Sequence, residues 1–285
     1  MNLLLLATVA LLLASGCHPP ETVDDPGNEI APITPSKENV AFFVRPVLLA
    51  RLRLSTSPEP EIVLLERDPW GSVIGSDSPS FALYRDGTVI YQDELGFRSI
   101  RLDQSEVHDL RMAIRGANKP QLGGQYEVAL ATDQPSNSLL IYGDDPVFIS
   151  VYGSLDDERI SSRLPPEVSY AFTKIRSFGH LRAASWLPDK IEIMIWPYEH
   201  APDPSVSWPE GWPDLDDANT VKRGVDSYSI FLPSDKLSDV RALRTSRSER
   251  GAIEINGRKW STSIRFPFPS EELWMAPNLE AQEPQ

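Results

Sequence analysis

Two periodicities alternate along this chain. Apolar residues two apart, bounded by turn-forming residues, predict strands at 81–84 and 88–91, around 126–130, and at 139–142, 147–152, 190–196, 229–232, 253–255 and 259–266. Residues 42–54 also read as strand-like, apolar with interspersed arginines. Apolar residues three and four apart predict helices instead. Val107, Leu110 and Ile114 follow Asp103-Gln104-Ser105-Glu106, a capping box in which Asp accepts from the backbone and Glu reaches back. Val168, Phe172 and Ile175 line a helix over 167–178, started by Pro165-Pro166 and stopped by Gly179. A third helix runs through Leu237, Val240 and Leu243, with Ser234 as its expected cap. Two turns are specified by chemistry. Asp86-Gly87 and Asn256-Gly257 each supply residues that tolerate positive φ between β-rich runs, the signature of a tight hairpin.

These elements predict an α+β protein, mainly antiparallel sheet with about three helices. Residues 99–111 align with 229–241, pairing Ser99, Asp109 and Arg111 with Ser229, Asp239 and Arg241. That alignment suggests two related β-α-β-hairpin halves, 38–160 and 161–275.

The N-terminus follows neither periodicity. Residues 3–13 are apolar except Thr8, too short for the roughly 20 residues that span a bilayer and suited to a signal-peptide core. Ala14, Ser15 and Gly16 then precede Cys17, the only cysteine. The segment Leu13-Ala14-Ser15-Gly16-Cys17 resembles the lipobox of bacterial lipoproteins, although the leader carries no Lys or Arg. The resemblance implies removal of residues 1–16 and diacylglycerol on the Cys17 thiol. It also implies membrane attachment through lipid and, with His18 rather than Asp next, outer-membrane sorting in a Gram-negative cell. Residues 17–37 read as a proline-rich tether and 276–285 as a loose tail.

The rest of the chain resembles, in modest motifs, a group of secreted bacterial lipoproteins without an assigned activity. The matching pieces are residues 81–90, the turn Thr132-Asp133-Gln134-Pro135, and the Trp-Pro stretch before the second helix-hairpin unit. That likeness implies export and architecture, and no chemistry.

Composition narrows the partners. With 27 Lys and Arg against 41 Asp and Glu, the formal charge is −14. Such a balance opposes phosphate backbones and argues against nucleic acid. With Cys17 lipidated no thiol remains for a disulfide, a thiolate metal site or a nucleophile.

Candidate chemistry is sparse. Trp196-Pro197, Trp208-Pro209 and Trp212-Pro213 lie close together beside Tyr198, His200 and Asp203. Exposed indoles stack on sugars or anchor partners, while buried ones fill a core. Trp196, Tyr198, Trp208 and Trp212 are therefore the candidate contacts for a ligand or partner. Residues 214–219 echo a calcium loop but lack the ligand at Ala218, the glycine at Asn219 and a closing Glu, so no metal is expected. His18, His108, His180 and His200 have no zinc spacing, and no nucleophile elbow, P-loop or dinucleotide fingerprint occurs. No catalytic residue or cofactor is assigned. The expectation is a non-enzymatic envelope lipoprotein, binding or structural, whose partner is an envelope protein or glycan. The alternatives are a carbohydrate-active or other hydrolase using carboxylates near the Trp-Pro loop, and an inhibitor or immunity-type protein presenting an acidic patch.

Overall fold

The computed structural model describes residues 33–36, 58–73, 75–143 and 145–274. The signal segment, Cys17, most of the tether, the strand expected at 42–54 and the tail lie outside the described residues. Among the described residues, no helix is long and apolar enough to cross a membrane.

The fold is α+β, as the periodicities predict, with two mainly antiparallel sheets. The first sheet uses β1 (Pro60–Arg67), β2 (Phe81–Tyr84), β3 (Thr88–Asp93), β4 (Gly96–Arg101), β5 (Gly124–Glu127), β6 (Ser136–Ile141), β7 (Val147–Tyr152) and β8 (Ala184–Ser185). Their spatial order is β5-β7-β6-β1-β2-β3-β4-β8, and only β5 and β7 run parallel. Three helices interrupt these strands: α1 (Gln104–Ile114), the single turn α2 (Glu158–Ser161) and α3 (Pro166–Arg176).

Both faces of this sheet are covered, so β1 and β2 read as continuous apolar runs. One face presents Ile62, Leu64, Phe81, Leu83 and Leu139 to Val107, Leu110 and Ile114 of α1 and to Val168, Ala171, Phe172 and Ile175 of α3. The other presents Val63, Ala82, Tyr84, Leu140 and Tyr142 to Phe268, Leu273 and Trp274 from the far end of the described chain. That C-terminal segment lies across the sheet like a strap. Tyr84 donates its hydroxyl to Pro269 O at 3.1 Å, and Ser270 Oγ donates to Pro58 O at 3.0 Å.

The second sheet uses β9 (Lys190–Pro197), β10 (Val206–Ser207), β11 (Val221–Lys222), β12 (Tyr228–Pro233), β13 (Ile253–Ile255) and β14 (Arg258–Arg265), with α4 (Leu237–Ser246) on one face. The order is β10-β13-β14-β9-β12-β11. Ile191, Ile193 and Ile195 of the central β9 meet Ile230 and Leu232 of β12, Leu237 and Val240 of α4, and Trp260 of β14.

The local signals hold. The α1 capping box is complete, with Asp103 accepting from the Ser105 and Glu106 amides and Glu106 returning to the Asp103 amide. Asn256 and Gly257 take φ of 50° and 74°, and Ile255 pairs with Arg258 across them. Three expectations change. Ser234 does not cap α4 with its side chain. Its hydroxyl donates to Pro188 O, and a 3₁₀ turn (Ser234–Lys236) leads into the helix. Second, α3, expected in the second half, packs on the first sheet, and β8 extends that sheet's edge to Ser185. The expected boundary at 160/161 therefore falls inside the first sheet's unit. Third, the two strand-helix units are not copies. In the first, β6, the leading strand of the hairpin after the helix, joins β1; in the second, the trailing strand β14 joins β9. Strand order differs, so the likeness of 99–111 to 229–241 is the shared physics of a strand entering a helix.

Candidate functional site

A cleft of about 660 Å³ opens where β1 ends, β2 begins, β3 ends and α3 ends. The register brings these ends together: Leu64 opposes Phe81, and Phe81 opposes Tyr91. The floor is aromatic. Phe178, just past α3, meets Phe81 and Tyr91 edge to face, with centroids 5.3 and 5.0 Å apart. The wall is polar, with Glu66, Ser80, Gln92, Asp93, Asp156, Thr173, Arg176 and Ser177. A smaller pocket of about 230 Å³ adjoins it, and the two share Glu66, Leu155, Asp156 and Arg176.

Arg176 organises this wall. Nε donates to Glu66 Oε1 at 2.8 Å, while Nη1 and Nη2 donate to the two Asp156 oxygens at 2.9 and 3.1 Å. The second Glu66 oxygen accepts the Ser80 hydroxyl at 2.5 Å. The two-pronged grip of the guanidinium holds the Asp156 carboxyl below the usual carboxylate range. The bonds to Asp156 likewise raise Arg176, against partial burial. About 30% of the Arg176 side-chain surface remains exposed, so this is a solvent-facing clamp and not a core pair. Asp93 gives one oxygen to the Leu95 amide at 2.8 Å.

His180 lies beside a second groove, of about 480 Å³, between α1 and α3. Its Nδ1 accepts the Arg182 amide at 3.1 Å, which leaves the proton on Nε2, 3.1 Å from Glu106 Oε1. Both ring nitrogens are thus engaged, and the arrangement holds the loop after α3 against α1. The bond from the Asp103 amide, with those from His180 and Arg182, keeps the Glu106 carboxyl below its ordinary range.

A third polar cluster is buried. Glu192 and Arg265 are fully buried on the face of the second sheet opposite α4. Glu192 accepts from Arg265, from the Ser229 hydroxyl and from Arg223 Nη2, the last at 2.8 Å. Arg265 also grips Glu271 of the strap. Burial pushes the Glu192 carboxyl up; Arg265, Ser229 and Arg223 together outweigh it, and the group lies below its usual range.

The predicted contact residues are scattered in role. Trp208 and Trp212 meet edge to face at 5.1 Å, pack on the second core, and are only half-exposed. The Trp208 indole N–H donates to Pro213 O at 2.9 Å, closing the loop on itself. Tyr198 is half-buried, and Trp196 is 39% exposed on the opposite face of β9 from Ile195. The Trp-Pro stretch is therefore a cover over the second core with one indole outside it. Its acidic neighbours Asp214 and Asp216 accept from Asn256 Nδ2 at 3.3 and 3.0 Å, tying the loop to the Asn-Gly turn. Among the described residues, no group of three His, Cys, Asp or Glu side chains is placed to hold a metal.

The clamp of Glu66, Asp156 and Arg176 escapes sequence reading. Its members are 110 and 20 residues apart, and Asp156 looks like part of a solvated acidic run. Asp156 does keep 78% of its side-chain surface in water, and its neighbour Asp157 caps α2 through the Arg159 amide. Comparison of the chain with family models, curated proteins and solved structures finds no match in any of the three.

Proposed function

We propose that this chain is an exported lipoprotein, held at a bacterial membrane through lipid on Cys17, that serves as a non-enzymatic binding component of the cell envelope. The Arg176 cleft is its recognition surface. Where the cell has an outer membrane, that membrane is the proposed location. The observation that carries the binding reading is the internal pairing of the cleft. Glu66 and Asp156 spend their oxygens on Arg176 and Ser80, and His180 spends both nitrogens on its neighbours. A general acid or base needs a free proton site with a tuned pKa. A recognition surface needs rigid, oriented polar groups around an apolar floor, and the clamp above Phe81, Tyr91 and Phe178 supplies them.

Two measurements test this. Metabolic labelling with palmitate is expected to mark the native chain and not Cys17→Ala; labelling of both, or of neither, overturns the anchor. Affinity capture from detergent-solubilised envelopes is expected to recover a partner that Arg176→Met loses and the distant Asp145→Ala keeps. Equal recovery by both variants removes the cleft from the proposal.

A further inference from the structure

Residues 33–36, placed by their proline content in the tether, are docked. The Ser36 amide donates to Gln125 O and the Gln125 amide donates to Ser36 O, both at 2.8 Å, an antiparallel bridge on the outer edge of β5. The Ile33 amide donates to Arg163 O at 3.3 Å, and the Ile33 side chain packs on the first core. The edge is shaped for this segment. Gly124 has φ of 138°, and a Cβ there would come within 2.7 Å of Ser36 O and 2.9 Å of the Pro35 ring. An edge strand offers unpaired backbone groups, and here the chain covers its own edge.

The register gives the clasp a direction. Because Ser36 opposes Gln125 antiparallel, Ile33 lies further along β5, towards Val128. Arg163 bonds both sites, accepting from Ile33 and donating to Val128 O at 2.7 Å. The end of β5 lies beside the end of β7, where Glu127 pairs with Tyr152, and Tyr152 pairs with Ser136 opposite Arg67 of β1. That is the end of the sheet at which the Arg176 cleft opens, lined by Glu66, Asp93 and Asp156.

We infer that the clasp of Ile33, Pro35 and Ser36 on β5 makes the tether leave the domain at the cleft end, so that a lipid on Cys17 holds the cleft towards the bilayer. This rests on the anchor proposed above. The chain from Cys17 to Ile33 reaches at most about 55 Å when extended, and the sheet is about 25 Å long. The two ends of the domain therefore sit at different mean heights above the membrane. With Glu66, Asp93 and Asp156 against Arg176, the cleft repels anionic headgroups. Its partner at the bilayer surface is a basic protein segment.

A lipidated chain has no free thiol, so one introduced cysteine takes a single dye. Glu94→Cys places it in the β3–β4 turn at the cleft end, and Asp145→Cys in the β6–β7 loop at the other end. Reconstitution into phosphatidylethanolamine vesicles with a headgroup acceptor is expected to give at least twofold more energy transfer from position 94. Equal or reversed transfer from protein that floats with the vesicles overturns the orientation alone; failure to float overturns anchor and orientation together. In lipidated protein held in detergent, Ser36→Pro removes the amide donor to Gln125 and is expected to lower hydrogen-exchange protection of the Gln125 amide at least tenfold. Unchanged protection overturns the clasp whatever the membrane result. A synthetic basic peptide is expected to bind native protein more tightly than Asp93→Asn, which removes the cleft carboxylate that Arg176 does not grip; equal binding by the two, or binding only of anionic vesicles, overturns the partner.

Discussion

At the scale of single residues, this protein uses arginine in two ways. Arg176 stays partly in water and bridges two carboxylates, where an ion pair contributes little to stability and much to shape. Arg265 is fully buried and depends on Glu192 and Glu271 to be tolerated there. Removing one partner of a buried pair leaves an uncompensated charge, so Glu192→Ala is expected to lower unfolding free energy by about 3 kcal/mol in urea titration. A loss under 1 kcal/mol would mean that water reaches the cluster. Because the folded Glu192 carboxyl lies below its unfolded value, its contribution is complete above about pH 4.5 and fades as pH falls through the folded value. Glu192→Gln is expected to flatten the acid limb of the stability curve, read by circular dichroism between pH 6 and 2. Gly87 is constrained differently. Its φ is 86°, and an added Cβ would lie 2.9 Å from Leu102 O, so Gly87→Ala is expected to cost about 2 kcal/mol. The Asp-Gly signal made this residue legible in sequence, because its requirement is local. The Arg176 clamp was not legible, since nothing within a few residues of Glu66 or Asp156 names the partner.

At the scale of elements, legibility follows the same rule. Helix α1 and the β13–β14 hairpin are written in adjacent residues, and both form where expected. The Trp-Pro stretch shows why composition misleads at this scale. An indole that fills a core and one that awaits a ligand look alike in sequence, and here Trp208 and Trp212 pack inward while Trp196 turns outward. Asn256 joins the two readings, since it makes the turn and binds the acidic loop through Leu215 N, Asp214 and Asp216. Asn256→Ala loses both a residue tolerant of positive φ and those bonds. Its expected cost is about 1–2 kcal/mol, with a matching loss of exchange protection at the Leu215 amide. Protection unchanged at Leu215 would show that the loop is held by its indoles alone.

At the scale of the whole molecule, the strap closes one face of the first sheet. Phe268, Leu273 and Trp274 are almost fully buried against β1, β2 and β6. Trp274→Ala is expected to cost about 3–5 kcal/mol and to raise binding of an apolar dye. Loss of stability without dye binding would mean that the exposed face collapses on another surface.

The strap also sets an order of events. Tyr84 and Pro269, bonded in the folded protein, are 185 residues apart in the chain. A polypeptide delivered N-terminus first, from a ribosome or through a translocation pore, completes the ladder of its first sheet long before the cover for one face arrives. Until residues 268–274 emerge, that face stays wet and the domain stays loose. If the chain is exported as proposed, late closure of this kind would keep it threadable for most of its passage and leave final consolidation to the far side.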